Sequence, residues 1–302
     1  ASWPPRVSIS TPVVPLCSSG EFVTALARSY RRCATISRRH GSSYYWSTML
    51  LPRAIRPHVH ALYAFARTAD DIVDLPEVDG PPPDEALASF ADRFFADLDA
   101  GRSNHGVLQA VVDTAVAYDL DRSAFERFLG AMAMDLTVTS YERWDDLLEY
   151  MDGSAAVIGE MMLPLLRPID PVAALQPARQ LGLAFQLTNF LRDIDEDLDR
   201  GRQYLPQHDL RKFGVELHER RVTSAFVALM QFEIERCRAL YRSAEAGFEL
   251  LPRRSANCIR AAHAVYGRIL DQIERGDYDV FAGRARVPTS TKLGLAVRQL
   301  AA

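Results

Sequence analysis

Apolar residues recur at intervals of three and four along most of the chain, the spacing that gathers them on one face of an α-helix. The runs Glu85–Ala100, Val107–Tyr118, Arg122–Met134 and Arg143–Met151 show this period. A longer run starts near Ala54 and passes through His60, Tyr63 and Phe65 to Asp74. Alternating, β-branched stretches bounded by turns are scarce, so strands are not expected. Two segments lack any period. Residues 1–20 are rich in Pro and Ser and read as a flexible N-terminal arm. The stretch from Leu75 through Pro76, Gly80, Pro81, Pro82 and Pro83 reads as a loop. Pro164, Pro168, Pro171, Pro177, Pro206 and Pro252 are expected at helix ends, because proline lacks the N–H that a helix interior uses. The pattern predicts one all-α domain over 21–302, built of about ten helices.

Composition narrows the function. The 302 residues carry a net charge of −4, without the basic excess of a nucleic-acid binder, so no nucleic-acid partner is expected. No apolar stretch approaches the roughly 18 residues of a membrane span; the longest, Met161–Leu166, contains Pro164. No charged head precedes an apolar core at the N-terminus, so no signal peptide is expected. Cys17, Cys33, Cys237 and Cys258 lie far apart, which suits neither a zinc site nor a disulfide framework. A soluble protein of a reducing cytoplasm is the simplest expectation. All but two of the 35 basic residues are Arg, the exceptions being Lys212 and Lys292. Genomic base composition accounts for that bias, and so does the match between guanidinium forks and phosphate oxygens.

Two acidic clusters carry the chemistry. The first ends the long helical run: Arg67-Thr68-Ala69-Asp70-Asp71-Ile72-Val73-Asp74. On a helix, Asp70 and Asp74 share a face, with Tyr63 and Arg67 on the turns before them. The second is Gln186-Leu187-Thr188-Asn189-Phe190-Leu191-Arg192-Asp193-Ile194-Asp195-Glu196-Asp197-Leu198-Asp199. On one continuous helix Gln186, Asn189, Asp193 and Asp197 fall in a narrow sector. Leu187, Phe190, Ile194 and Leu198 form the adjoining apolar stripe, and Asp195 and Asp199 point to solvent. Like charges one turn apart destabilise a helix, so a cation should offset them. Oxygen donors without matching His or Cys suit Mg²⁺ or Mn²⁺. Arg67, Arg192 and Arg202 beside the acids fit a phosphate-bearing ligand. Either cluster alone is also what a solvated charged face looks like; two together, each beside an apolar face, favour a site.

With these residues in view, the sequence resembles the squalene/phytoene synthase family, which condenses two prenyl diphosphates head to head. Asp70-Asp71-Ile72-Val73-Asp74 is similar to its D-x-x-x-D helix, and Asn189 through Asp197 to its N-x-x-R-D-x-x-E-D helix. Gly201-Arg202-Gln203-Tyr204-Leu205-Pro206 follows as in the family's G-R-x-Y-L-P ending. His40-Gly41-Ser42-Ser43-Tyr44-Tyr45, Tyr150 with Gly153 to Gly159, Tyr266 and Asp279-Val280-Phe281 agree as well, so the likeness spans about 22–288. Two positions depart. Gly41 stands where many members carry a hydroxyl residue, and Asp152 where related bacterial sequences often have Tyr.

The resemblance implies an isoprenoid synthase bundle around a central reaction chamber, most like a bacterial phytoene synthase. Asp70, Asp74, Asn189, Asp193 and Asp197 would hold Mg²⁺ or Mn²⁺. His40, Ser42, Ser43, Tyr44, Tyr63, Arg67, Gln186, Asn189, Arg192, Arg202 and Tyr204 would bind the prenyl diphosphates. Tyr150 and Tyr266 would act with the four aspartates in catalysis. Singly, Tyr44, Tyr63, Tyr150 and Tyr266 also suit half-buried core positions. Phe22, Leu50, Leu136, Val157, Leu163, Leu183 and Phe190 are candidates for the chamber wall, and equally for ordinary core. Thr48, one turn beyond Tyr44, is expected to border the prenyl tail. His58 and His60, two apart, cannot converge on a metal from one helix. No glycine-rich nucleotide fingerprint follows a strand, so NADPH is not expected.

Other readings stay open. They are a squalene- or dehydrosqualene-forming synthase using C15 diphosphates, a head-to-tail elongase or terpene cyclase, a noncatalytic relative acting as an assembly factor, and a metal-dependent nucleotide hydrolase. Leu293, Val297 and Leu300 with cationic neighbours suit peripheral membrane contact by the tail, or packing of the tail on its own domain.

Overall fold

The computed structural model describes residues 19–75, 79–285 and 288. The segment expected as an arm therefore lies outside the described residues up to position 18, as do Cys17 and the tail from 289 onward. Side chains are described from Thr24 onward, except those of Ser42 and Ser43.

The chain runs α1 (Ser19–His40), α2 (Ser42–Thr48), α3 (Arg56–Asp74), α4 (Pro83–Asp99), α5 (Leu108–Tyr118), α6 (Arg122–Met134) and α7 (Trp144–Met151). A π-helical turn, Asp152–Ala156, leads into α8 (Val157–Leu166) and α9 (Pro171–Arg192). Then follow α10 (Ile194–Asp199), α11 (Gln207–Phe213), α12 (Ser224–Glu245) and α13 (Arg253–Arg275). Among the described residues no strand forms, and a lone bridge joins Ser140 to Gln203. Among the described residues the expected ten helices become thirteen, because α2, α10 and α11, of seven, six and seven residues, are too short to show a period.

Two long helices organise the packing. α3 lies against α1, α4, α5 and α6, whereas α9 lies against α8, α12, α13 and the π-turn. Leu183, Ala184, Leu187, Thr188, Phe190 and Leu191 are all buried and cover about half of the circumference of α9. Backbones come very close at Gly182, where a Cβ would lie 2.4 Å from the Ala155 carbonyl oxygen of the π-turn. Only glycine permits that approach.

Three expectations need correction. Pro164 and Pro177 lie inside α8 and α9 rather than at helix ends. Pro164 is exposed and lies in the last turn, so the N–H it lacks removes one bond close to the helix end. Pro177 packs on Gly247, whose missing side chain leaves room for the ring. The second acidic cluster is not one helix. Asp193 has φ −105 and ψ 16, so α9 ends and α10 begins there. Adjacent residues on a regular helix do not face each other. The break lets Arg192 pair with its neighbour Asp193, Nε donating to Oδ1 at 2.7 Å, while Arg284 reaches Asp193 Oδ2 at 2.7 Å.

Among the described residues no helix is long and apolar enough to cross a membrane. Cys33, Cys237 and Cys258 are buried free thiols.

Candidate active site between two acidic helices

On α3 the steps from Tyr63 to Arg67, Asp70 and Asp74 are four, three and four residues, so all four side chains reach one cavity. Arg67 Nη1 lies 2.8 Å from Asp70 Oδ2, and the same guanidinium also pairs with Asp71. From α9 and α10, Gln186, Asn189, Arg192, Asp193 and Asp197 reach the cavity from the other side. Despite the break at Asp193, this polar sector keeps its direction. Leu187, Ile194 and Leu198 are buried behind it, while Phe190, also buried, reaches the cavity. Asp199 is exposed, and both it and Asp195 pair with Arg220, away from the cavity.

Arginines tie the two acidic faces together. Arg202 Nη1 donates to Asp74 Oδ1 at 2.6 Å, and Arg200 stands 3.8 Å from Asp74 and 3.9 Å from Asp197. Asp197 is buried beside Asp193, and burial followed by that neighbouring charge pushes its carboxyl up to about 7. Burial and then Asp74 raise Asp70 as well, an effect tempered by water because its side chain is 43% exposed.

The cavity between these faces measures about 730 Å³. It abuts a second, apolar cavity of about 270 Å³ running between α2, α3, α8, α9, α12 and α13. Tyr44, Tyr63, Ala66, Ser154 and Gln186 line both, so they mark the junction. Tyr44, Tyr266 and Phe185 cluster there, with ring centroids 5.2 Å apart for Tyr44–Tyr266 and 4.4 Å for Phe185–Tyr266. His40, Tyr150, Arg202 and Tyr204 also line the polar cavity. Thus the candidate residues converge on one place, apart from Ser42 and Ser43, whose side chains lie outside those described.

The apolar candidates sort differently. Leu163 lines the apolar cavity and Phe190 the polar one. Val157 and Leu183, on α8 and α9, are buried core, as is Leu50 in the turn after α2, and Leu136, in the turn after α6, is packed partly buried against it. Phe22 has no described side chain. Asp152 lines neither cavity: it pairs with Arg127 and Arg179, which also hold Glu160. His58 and His60 face different partners, Tyr30 with Thr114 and Ser37 respectively.

Sequence reasoning missed Asp135, Glu196, Arg200 and Arg284 on the cavity wall. Asp135 follows the apolar face of α6 directly, and a lone acid at the end of such a stripe was the available signal. Arg284 carried none, since it comes to Asp193 only through the fold.

Among the described residues, no three His, Cys, Asp or Glu side chains are grouped closely enough to hold one ion between them. Asp70, Asp74, Asp193 and Asp197 instead each stand within 4 Å of an arginine nitrogen. The donor set still fits a hard divalent cation. It is all oxygen, Asn189 Oδ1 is buried without a hydrogen-bond partner, and the carboxylates crowd one another. Mg²⁺ commonly takes one or two carboxylates and shares phosphate oxygens rather than sitting in an all-protein cage. Arg67 Nε, likewise buried and unpartnered, suits such a phosphate.

A sequence model of the squalene/phytoene synthase family matches residues 37–291. The chain is 34% identical over 290 residues to the 15-cis-phytoene synthase of Synechococcus elongatus, covering 90% of this chain and 92% of that protein. It is 34% identical over 283 residues to the phytoene synthase of Arthrospira platensis, covering 88% and 90%. A crystal structure of a ligand-bound dehydrosqualene synthase superposes with a TM-score of 0.83 at 26% identity, covering 93% of this chain and 98% of that one.

Proposed function

This chain belongs to the squalene/phytoene synthase family, and from that premise we propose that it joins two geranylgeranyl diphosphates head to head to give phytoene. The observation that carries this reading is the pair of acidic, arginine-laced faces across a polar cavity that opens into an apolar one. Charged heads and hydrocarbon tails need that division.

The residues derive the steps. Arg67, Arg192 and Arg202 hold diphosphate oxygens by paired donors. Asp70, Asp74, Asn189, Asp193 and Asp197 would hold Mg²⁺ or Mn²⁺, which supplies positive charge against the departing diphosphate. The allylic C1–oxygen bond of the donor ionises, and the electron pair leaves with the diphosphate. The C1 cation is attacked by the acceptor's double bond, and loss of a proton closes a cyclopropylcarbinyl diphosphate. Ionisation of that ester expels the second diphosphate. The ring rearranges to join the two C1 carbons, and a second proton is lost to give the triene. No hydride enters, so NADPH is not used; a squalene product would need it. Tyr44, Tyr63, Tyr150 and Tyr266 present rings that stabilise passing positive charge. The surrounding helices keep water from it. Gln186 and His40, with Ser42 and Ser43, complete diphosphate binding, whereas Tyr204, whose hydroxyl donates to Asp135, contributes its ring face. The greasy substrates and product also fit peripheral membrane contact by residues 289–302. Equal liposome co-sedimentation without that tail would remove it as the anchor.

A second reading has support from the dehydrosqualene synthase superposition: condensation of two C15 diphosphates. Incubation with C15 and C20 diphosphates, Mg²⁺, and NADPH present or absent separates them by product mass. A C40 triene without reductant is the expected result. A C30 product alone would replace it with the second reading.

A further inference from the structure

Asp135 is the C-cap of α6 and no motif marks it, yet it lines the polar cavity beside an aromatic wall. Tyr150 Oη donates to Asp135 Oδ2 at 2.7 Å, and Tyr204 Oη donates to Oδ1 at 3.2 Å. Each carboxylate oxygen thus holds one phenol. The rings so held are stacked with a third: Tyr204 on Phe190 at 3.9 Å and 11°, and Tyr150 on Tyr204 at 5.8 Å and 25°. Tyr141 backs the group, 5.3 Å from Tyr150 and 6.2 Å from Tyr204. All four rings are buried, and Tyr150, Tyr204 and Phe190 line the cavity.

We propose that Asp135 is a positioning residue: by gripping both phenols at once it fixes the stack of Tyr150, Tyr204 and Phe190 as a π-surface for the carbocation formed in the cavity. The chemistry is consistent throughout. Burial keeps both phenols protonated, so they donate. Burial raises Asp135 to about 6, with the Tyr150 hydrogen bond and the Arg202 charge pulling it back, so it accepts as a carboxylate at neutral pH. A cation gains most from a π-face that is already oriented and dry, since no reorganisation is needed when charge appears. Free rotation of either phenol toward the cavity would put a hydroxyl oxygen where the cation should meet only ring carbon, inviting capture of the cation. Bonding to Asp135 holds both hydroxyls in fixed positions.

The inference rests on the proposed prenyl condensation for its purpose but not for its geometry, and the test separates the two. Near-UV circular dichroism of Asp135→Asn is measured without substrate. The tyrosine bands should weaken while the far-UV spectrum stays unchanged; unaltered tyrosine bands would overturn the anchoring. With C20 diphosphate, Asp135→Asn should lower kcat about tenfold and leave KM within about twofold, as for a group acting only on the transition state. It should also raise the share of cyclopropylcarbinyl diphosphate released. In a Tyr150→Phe/Tyr204→Phe background the same substitution should cost nothing more. A full additional loss there would show that Asp135 acts other than through the phenols. If Asp135→Asn does not fold, the double phenylalanine variant with Asp135 intact carries the test, and an unchanged product distribution overturns the proposal. Wild-type enzyme that yields no condensation product would sink the function while leaving the spectroscopic result standing.

Discussion

The ring of Tyr63 fills the space that a side chain at position 41 would need. A Cβ on Gly41 would lie 2.6 Å from Tyr63 Cζ and 2.9 Å from its hydroxyl oxygen. Gly41 has φ −110, so its backbone makes no demand for glycine; the close approach does. In this chain α3 delivers a hydroxyl at nearly the same place, from a ring that lines both cavities.

Substituting Gly41→Ser should therefore push the Tyr63 ring into the junction between the cavities. We expect kcat/KM to fall about tenfold, equivalent to about 1.4 kcal/mol of transition-state stabilisation, with a normal fold. Gly41→Ser/Tyr63→Ala should be no worse than Tyr63→Ala alone, because the clash is gone. Additive losses in steady-state kinetics would show that the two residues act separately.

Every cavity acid now held by arginine must exchange partners when metal and diphosphate arrive together: arginines to phosphate oxygens, carboxylates to metal. Mg²⁺ alone should therefore raise the melting temperature little, and Mg²⁺ with inorganic diphosphate should raise it clearly. Saturation at 100 times Kd corresponds to about 2.7 kcal/mol. Asp70→Ala and Asp193→Ala should fold, lose activity and lose the joint shift. Near-normal turnover in both would show that these acids hold no metal.

The sequence made legible what depends on neighbours along the chain. α6 appears with its expected bounds, and α3 begins two residues from its expected start, because their apolar faces are periodic. The acidic faces were legible because i, i+3 and i+4 spacing is local. What was hidden depends on distant partners. The helix break at Asp193 accompanies an ion pair with Arg284, 91 residues away. Asp135 acquires meaning only when Tyr150 and Tyr204 are brought to it. Pro177 is tolerated inside α9 alongside its packing on Gly247 from the far end of α12. Periodicity carries no information about such contacts.

His60 should set part of the acid sensitivity of folding. It is buried under Tyr45, bonded to Ser37 at 3.0 Å, and burial followed by the Arg56 charge lowers it to about 4. The unfolded chain binds a proton near pH 6.5. Between those values the unfolded state carries the extra proton, so stability falls as pH drops from about 6.5 toward 4. Between pH 7.5 and 5 this histidine should account for about 2 kcal/mol of lost stability. His58, His105 and His263 are lowered too and steepen the same limb. Urea unfolding of wild type and His60→Gln at both pH values isolates the difference. Equal pH slopes would mean that His60 takes up its proton while folded.

Chain length should be gauged at Thr48. This residue ends α2, is 3% exposed, and lines the apolar cavity that begins at Tyr44, one turn earlier. Its hydroxyl donates to the Tyr44 carbonyl at 2.7 Å, so the polar atom is satisfied within the helix and adds no unmet polarity to the cavity. The side chain is small, and the cavity beside it is only about 270 Å³. A phenyl ring there would take space from a prenyl tail and from nothing else of functional weight. Thr48→Phe should therefore turn the enzyme from C20 toward C15 diphosphate when both compete, read as the C40-to-C30 product ratio. Binding of the diphosphate head should change little, because the polar cavity lies on the other side of Tyr44 and Tyr63. An unchanged ratio in a folded variant would place the gauge elsewhere along the cavity, and a wild-type enzyme that ignores C20 diphosphate would overturn the C20 assignment itself.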